Sequence, residues 1–264
     1  MAGRPPALGD SRHSILRSDY HVHSTFSDDA VSTLAENIAA AAALSLQTIR
    51  LIDHVRASTT WVPEFLAAVA AEQIPEKLEV LTGVEAKMMD VTGHLDIPAD
   101  LGDLTVVIAD HQFPGTDGPW SPDQVKQRLA EKRLAPADAV GMLFEAYAAA
   151  MRGRPGSQLA HPFSILPKIG LNDVELASDA QRDEFVAVAI ETTTRVEINQ
   201  KWGVSSFLPL PELLKADLIV AASDAHNADD VGRYSREVVE PLERALGLGH
   251  TGTLKEPTGG EARR

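Results

Sequence analysis

Two short patterns open the chemical reading of this chain: His21-Val22-His23 near the start and Asp224-Ala225-His226 near the end. Residues two apart on a strand project their side chains to the same side. Each pattern therefore offers a pair of adjacent donors. Asp53-His54, Glu85, Asp110-His111 and His161 lie between them, and Asp28 follows the first pair. Neutral imidazole and carboxylate are good ligands for zinc, manganese and iron. His21, His23, Asp28, His54, Glu85, His111, His161, Asp224 and His226 make nine candidate ligands. One or two tetrahedral ions cannot use that many. Three ions with about three protein ligands each, sharing a carboxylate such as Glu85 and completed by water, suit the set better, and two or three divalent ions are expected. Six of the nine histidines fall in these patterns, which separates them from His13, His94 and His250. A lone histidine at a strand end is most often a hydrogen-bonded structural residue, so the weight rests on their joint occurrence.

The elements that must position these residues are short apolar runs alternating with longer helical ones. Strands are expected at 19–23, 48–53, 79–85, 104–110, 158–161, 195–199 and 218–223. Helices are expected at 32–44, 63–73, 122–132, 136–151, 180–190, 211–215 and 229–246, several with proline in the first turn. Such alternation predicts a parallel sheet with crossover helices, and seven strands favour a barrel over a doubly wound sheet. Six of the seven expected strands end in a histidine or an acid. In parallel α/β folds those ends share one face, where the site lies. Residues far apart in sequence should therefore converge.

Composition limits the alternatives. With no cysteine, disulfides and thiolate metal sites are excluded, and a cytoplasmic location fits. No apolar run reaches the length of a membrane span; the alanine-rich stretch at 38–46 is too short. The formal charge of −14 disfavours extended nucleic-acid or acidic-lipid binding. It leaves room for an anionic substrate, because bound cations reverse the sign locally. Residues 1–17 are expected to form a flexible leader, 249–264 a flexible tail, and 18–248 a single domain.

Several of these motifs coincide with those of a known family. Asp19-Tyr20-His21-Val22-His23 followed by Ser27-Asp28 resembles the opening motif of the PHP (polymerase and histidinol phosphatase) superfamily. Ile52-Asp53-His54, Gly83-Val84-Glu85, Ala160-His161-Pro162 and Ser223-Asp224-Ala225-His226 resemble its later motifs, so the likeness runs from Asp19 to about Tyr234. The resemblance implies a distorted seven-stranded (β/α) TIM-like barrel with a two- or three-metal site. By position it assigns His21, His23, Glu85 and Asp224 to a first ion. Glu85, His111 and His161 go to a second, and Asp28, His54 and His226 to a third. Asp29 is the alternative to Asp28.

The expected chemistry is hydrolysis of a small phosphate monoester or diester. A water bridging two ions would be deprotonated near neutral pH and attack phosphorus in line, with Asp224, His226 and Glu85 as the catalytic side chains. Histidinol phosphate and nucleotide-like compounds are both open as substrates. Arg233, Lys87 and Arg56 lie closest in sequence to the metal motifs and are the candidate phosphate clamps; Arg195 and Lys201 flank the sixth strand. Glu197 and Asn199 end the one strand without a candidate ligand and are expected to orient other groups or to bond within the barrel. Trp61 and Trp202 are candidates for stacking at the rim, although core packing is the commoner fate of tryptophan. The loop and helices at 112–156 are expected to shape substrate choice. Two rival readings are an amidohydrolase-type metal hydrolase and a metal-stabilised interaction module without catalysis. The sequence is silent on oligomeric state.

Overall fold

The structure, a computed structural model, describes residues 15–247. The tail expected at 249–264, most of the leader expected at 1–17, and both His13 and His250 lie outside the described residues. Seven parallel strands form one sheet: β1 (Ser18–Val22), β2 (Thr48–His54), β3 (Glu79–Lys87), β4 (Thr105–Ala109), β7 (Gln158–Leu159), β8 (Arg195–Asn199) and β9 (Ile219–Ala222). A separate antiparallel pair, β5 (Phe113–Pro114) and β6 (Pro119–Trp120), follows β4. The seven-stranded sheet curls until its edges meet. Val22 bridges Ala225, and the His23 N–H donates to the Ala225 carbonyl at 2.9 Å. The result is a nearly closed, distorted (β/α) barrel. Its distortion is local: β7 has two residues, and the register of β1 against β2 slips between Asp19 and Val22. A slip of that kind re-aims side chains and recurs beside functional sites.

The helices are α1 (Leu34–Ala43), α2 (Val62–Ala71), α3 (Pro122–Ala130), α4 (Pro136–Gly153), α5 (Ile165–Lys168), α6 (Asp179–Glu191), α7 (Leu210–Lys215) and α8 (Arg236–Ala245). Local sequence explains their starts. Thr33 with Glu36, Ser121 with Gln124 and Ser178 with Gln181 form capping boxes ahead of α1, α3 and α6. The helix expected at 229–246 begins only at Arg236. Gly232, at φ 65°, turns the chain, and its N–H donates to Asp19 Oδ2 at 2.7 Å. That buried carboxylate draws the segment onto β1 and out of the helix. Among the described residues no helix is long and apolar enough to cross a membrane.

Two apolar regions hold the barrel. Inside, Ile52, Val107, Ala109 and Ala160 form a small cluster under the strand ends. Below it Arg50 is buried and donates from Nη1 to Gln158 Oε1 at 2.6 Å. Arg50, Ile52 and His54 alternate along β2, so one strand face carries the floor, the core and the site in turn. Outside, α4 packs on α6 through Phe144, Tyr147 and Phe185, with Phe163 between them.

Gly93 secures the turn after β3 against the end of α4. It adopts φ 77°, and a Cβ there would lie 2.3 Å from the Ala150 nitrogen. Gly93→Ala should lower stability by about 2 kcal/mol or more, from the left-handed backbone and the clash together. Urea unfolding with an unchanged m-value would read the loss.

Candidate metal centre

Five imidazoles surround one carboxylate at the C-terminal mouth of the barrel. Glu85, at the end of β3, is buried. His111 Nε2 lies 3.0 Å and His161 Nε2 3.4 Å from its Oε1. His54 Nδ1 lies 2.9 Å, and His21 and His23 Nε2 3.5 Å, from its Oε2. Asp224 turns Oδ1 toward the same centre, 3.3 Å from His23 Nε2 and 3.6 Å from His226 Nδ1. Parallel register explains part of this convergence, since His54 pairs with Glu85 across β2 and β3.

The imidazoles are held by their other nitrogens. His21 Nδ1 lies 2.8 Å from Glu197 Oε1. His161 Nδ1 lies 3.1 Å from the Ser164 hydroxyl and 3.4 Å from Asp110 Oδ1. His226 Nδ1 lies 2.9 Å from the Asp224 carbonyl, to which only an N–H can donate. In their neutral forms these rings present the Nε2 lone pair to the centre, the usual arrangement of metal-ligating histidine. Glu197 also accepts from Gln158 Nε2, Asn199 Nδ2 and the His161 N–H, so one buried carboxylate orients two imidazoles. Asp53 accepts from the Ser24 N–H and from the hydroxyls of Ser24 and Ser27, and thereby fixes the turn after β1. His161 (φ 31°) and Asp224 (φ 56°) occupy the left-handed region, which side-chain-bearing residues enter at a cost.

Electrostatics inside the cluster are strongly coupled. Burial alone would raise the Glu85 pKa, but His21, His111 and His161 hold it well below the carboxylate range. Burial would lower the His21 pKa; Glu197 and Glu85 outweigh it and raise it. His161 is pushed up to about 10 against burial by Asp110 and Glu85. For His23 burial wins and lowers the pKa to about 4. Burial also lifts Asp19 and Asp53 to about 6, although each accepts several hydrogen bonds.

These atoms fit divalent cations. His21 Nε2 and His23 Nε2 are 2.9 Å apart, a separation that two lone pairs tolerate only around a proton or a cation. Glu85 Oε2 and His161 Nε2 are buried without a hydrogen-bond partner, and both face the centre. Three groups have ligand atoms within 4.8 Å of one another: His21, His23 and Glu85; His54, Glu85 and His111; and His23, His54 and His226.

One expected member is not brought to the cluster, and its stated alternative is. Asp28 is exposed and makes no hydrogen bond or ion pair with the cluster. Asp29 does: its oxygens lie 3.4 Å from His54 Nε2 and 3.3 Å from His226 Nε2. Ser27, tied to Asp53, ends the turn after β1, and it is the second residue beyond it that comes round to the two imidazoles. The expected phosphate clamps also stand apart. Arg56 and Arg233 are exposed and Lys87 half-buried, and none pairs with the cluster. The cation that does reach it is Lys201, whose Nζ lies 3.6 Å from Asp224 Oδ2. Trp202 Nε1 donates to the same oxygen at 2.7 Å. Lys168 joins them, with Nζ 3.8 Å from the centre of the Trp202 ring. Sequence reading had no signal for Lys168, which lies on the unexpected one-turn helix α5. Trp61 packs with Phe26 and Phe65 instead of standing at the rim.

Comparison with known proteins agrees with this geometry. The PHP domain family model matches residues 19–114. A "probable phosphatase" of Photobacterium profundum is 30% identical over 238 residues, covering 85% of this chain and 83% of that protein. The chain belongs to the PHP family. Another PHP relative, a "probable phosphatase" of Caldanaerobacter subterraneus subsp. tengcongensis, is 27% identical over 232 residues, covering 85% of this chain and 82% of that one. The crystal structure of histidinol phosphate phosphatase from Lactococcus lactis, complexed with zinc, L-histidinol and phosphate, shares the fold. Its TM-score is 0.58 at 15% identity, over 88% of this chain and 94% of that one.

Two measurements test the arrangement. Glu197→Gln should weaken divalent-metal binding about 10- to 100-fold, because it frees His21 and His161 without removing a ligand atom; competition with a chelating dye reads the constant. Asp29→Ala should lower the bound metal per chain, whereas Asp28→Ala should match the parent protein. Elemental analysis of the purified variants distinguishes them, and the reverse result would restore Asp28.

Proposed function

We propose that this protein is a metal-dependent phosphoesterase acting on a small phosphate monoester or diester. The observation that carries the reading is the buried Glu85 with its surrounding imidazoles, whose unsatisfied atoms all face one point. Relatives named as phosphatases support it. His21, His23, Glu85 and Asp224 would hold a first ion, Glu85, His111 and His161 a second, and Asp29, His54 and His226 a third. The donor set of imidazole and carboxylate suits zinc, manganese or iron. Three divalent ions against three carboxylates would make the mouth cationic in a protein of net charge −14. When bound, the ions supply Lewis acidity and neutralise charge on the phosphoryl group.

The chain's own residues then position and move protons. Glu85 links the first two ligand groups and fixes their spacing. Asp224 is anchored at Oδ2 by Trp202 and Lys201, so Oδ1 stays turned to the centre. There it can receive a proton from the attacking water. His226 is partly exposed, its Nε2 beside Asp29; with that lone pair committed as a ligand, solvent at this open edge would return the proton to the leaving oxygen. Histidinol phosphate and nucleotide-like esters both fall within this class. The amidohydrolase reading is weaker: among the described residues Glu85 pairs with imidazoles alone, whereas such sites usually use a carboxylated lysine or an aspartate.

The purified protein, loaded with manganese, zinc or iron, should hydrolyse p-nitrophenyl phosphate or its bis-ester in preference to amide substrates. Chelation should abolish the activity and metal should restore it. His21→Ala or Asp224→Ala should reduce kcat/KM at least about a thousandfold and lower bound metal. Full turnover by either variant would remove the assignment. Stabilisation by metal with no hydrolysis would favour an interaction module instead.

A further inference from the structure

The two carboxylate oxygens of Asp224 face different surroundings. Oδ1 looks toward His21, His23 and His226, at 3.3–3.8 Å. Oδ2 looks away from them, toward Trp202 Nε1 at 2.7 Å and Lys201 Nζ at 3.6 Å. Lys168 approaches from α5 and rests on the Trp202 ring, 3.8 Å from its centre, while Lys201 lies 5.9 Å from the same centre. Two ammonium groups thus share one indole, a contact that favours each cation. Trp202 is 37% exposed, which is unusual for a residue so engaged.

The charges at this rim do not balance. Lys168 forms no ion pair with any carboxylate among the described residues, and Asp224 is the single carboxylate within reach of Lys201. Asp224 is itself a candidate ligand, so its charge is engaged on the Oδ1 side. Burial lowers the Lys168 pKa, as does Lys201, while Asp110 and Asp224 oppose them. A half-buried lysine facing a second lysine is costly unless an anion completes the group.

We propose that Lys168 and Lys201, bracketed by Trp202, form a subsite for a second anionic group of the substrate, a carboxylate or phosphate distinct from the ester phosphate taken at the Glu85 centre. This deepens the phosphoesterase reading and rests on it for the first anion. Lys201 stands on the Oδ2 side of Asp224, and the Trp202 ring that Lys168 overlies lies 5.4 Å from the His161 ring, so the lysines stand beside the centre and meet a neighbouring part of the ligand. The protein would therefore select phosphate esters whose alcohol portion is itself charged. Lys168 sets that selectivity, and Trp202 is a positioning residue.

Non-hydrolysable phosphonates test it on the metal-loaded protein by titration calorimetry. Butylphosphonate carries one anionic group; 4-phosphonobutyrate adds a carboxylate, and butane-1,4-bisphosphonate a second phosphonate. At least one of the two dianionic-ended probes should bind about tenfold tighter than butylphosphonate. Which of them gains identifies the anion as carboxylate or phosphate. Lys168→Gln should shrink the gap to about twofold, and Lys168→Arg should keep most of it. Equal or undetectable binding of all three probes, or a gap that survives Lys168→Gln, overturns the subsite. Turnover of p-nitrophenyl phosphate is read separately. A binding gap without turnover would remove the phosphoesterase reading and leave the subsite; turnover without a gap would do the reverse.

Discussion

One buried carboxylate imposes most of the design. Glu85 is withdrawn from water at the end of β3, and a charge there is tolerated only with close compensation. Imidazoles from β1, β2 and the segments after β4 and β7 supply it, at 2.9–3.5 Å. Three imidazoles of the cluster, His21, His161 and His226, are in turn held at their other nitrogen. Glu197, Asp110 and the Asp224 carbonyl serve that need, so the requirement passes outward through the barrel. Crowding of this kind costs stability in the bare protein, since lone pairs such as those of His21 and His23 face one another. A bound cation would turn the same crowding into coordination.

The supporting carboxylates divide the labour. Asp19 and Asp53 never approach the centre; they gather backbone and hydroxyl donors and shape the segments after β1 and β9. Glu197 orients ligands directly. Burial raises the pKa of Asp19 and Asp53 to about 6, against the hydrogen bonds each accepts in fixing these turns. Asp224 joins the centre to the rim, because its two oxygens serve different neighbours. A group bound at the rim and a cation held at the centre would thereby be coupled through one side chain.

Much of the centre was legible in the chain because its residues end strands. His21, His23, Glu85, His111, His161, Asp224 and His226 needed only the alternation of strands and helices to be placed on one face. The fold class followed from the same alternation. The difference between Asp28 and Asp29 was not legible, since adjacent residues in a turn diverge by an amount that only the Ser27–Asp53 contact fixes. Lys168 was invisible for a different reason. It sits on a helix of four residues with no periodicity to announce it, and it matters only because the turn after β8 brings Trp202 against it.

The amino-acid order by itself determined a parallel α/β alternation that favoured a barrel, and the ligand types, because strand and helix periods and donor chemistry are local properties. Tertiary structure alone decided which oxygen of Asp224 faces which partner, which aspartate joins His54 and His226, and which lysines stand beside the centre. Some of those choices join distant segments, such as the 3.3 Å between Asp29 and His226, and others join nearer ones, such as the 3.6 Å between Lys201 and Asp224. Such distances are set by how strands register and how loops are tied down, and no short stretch of sequence carries them.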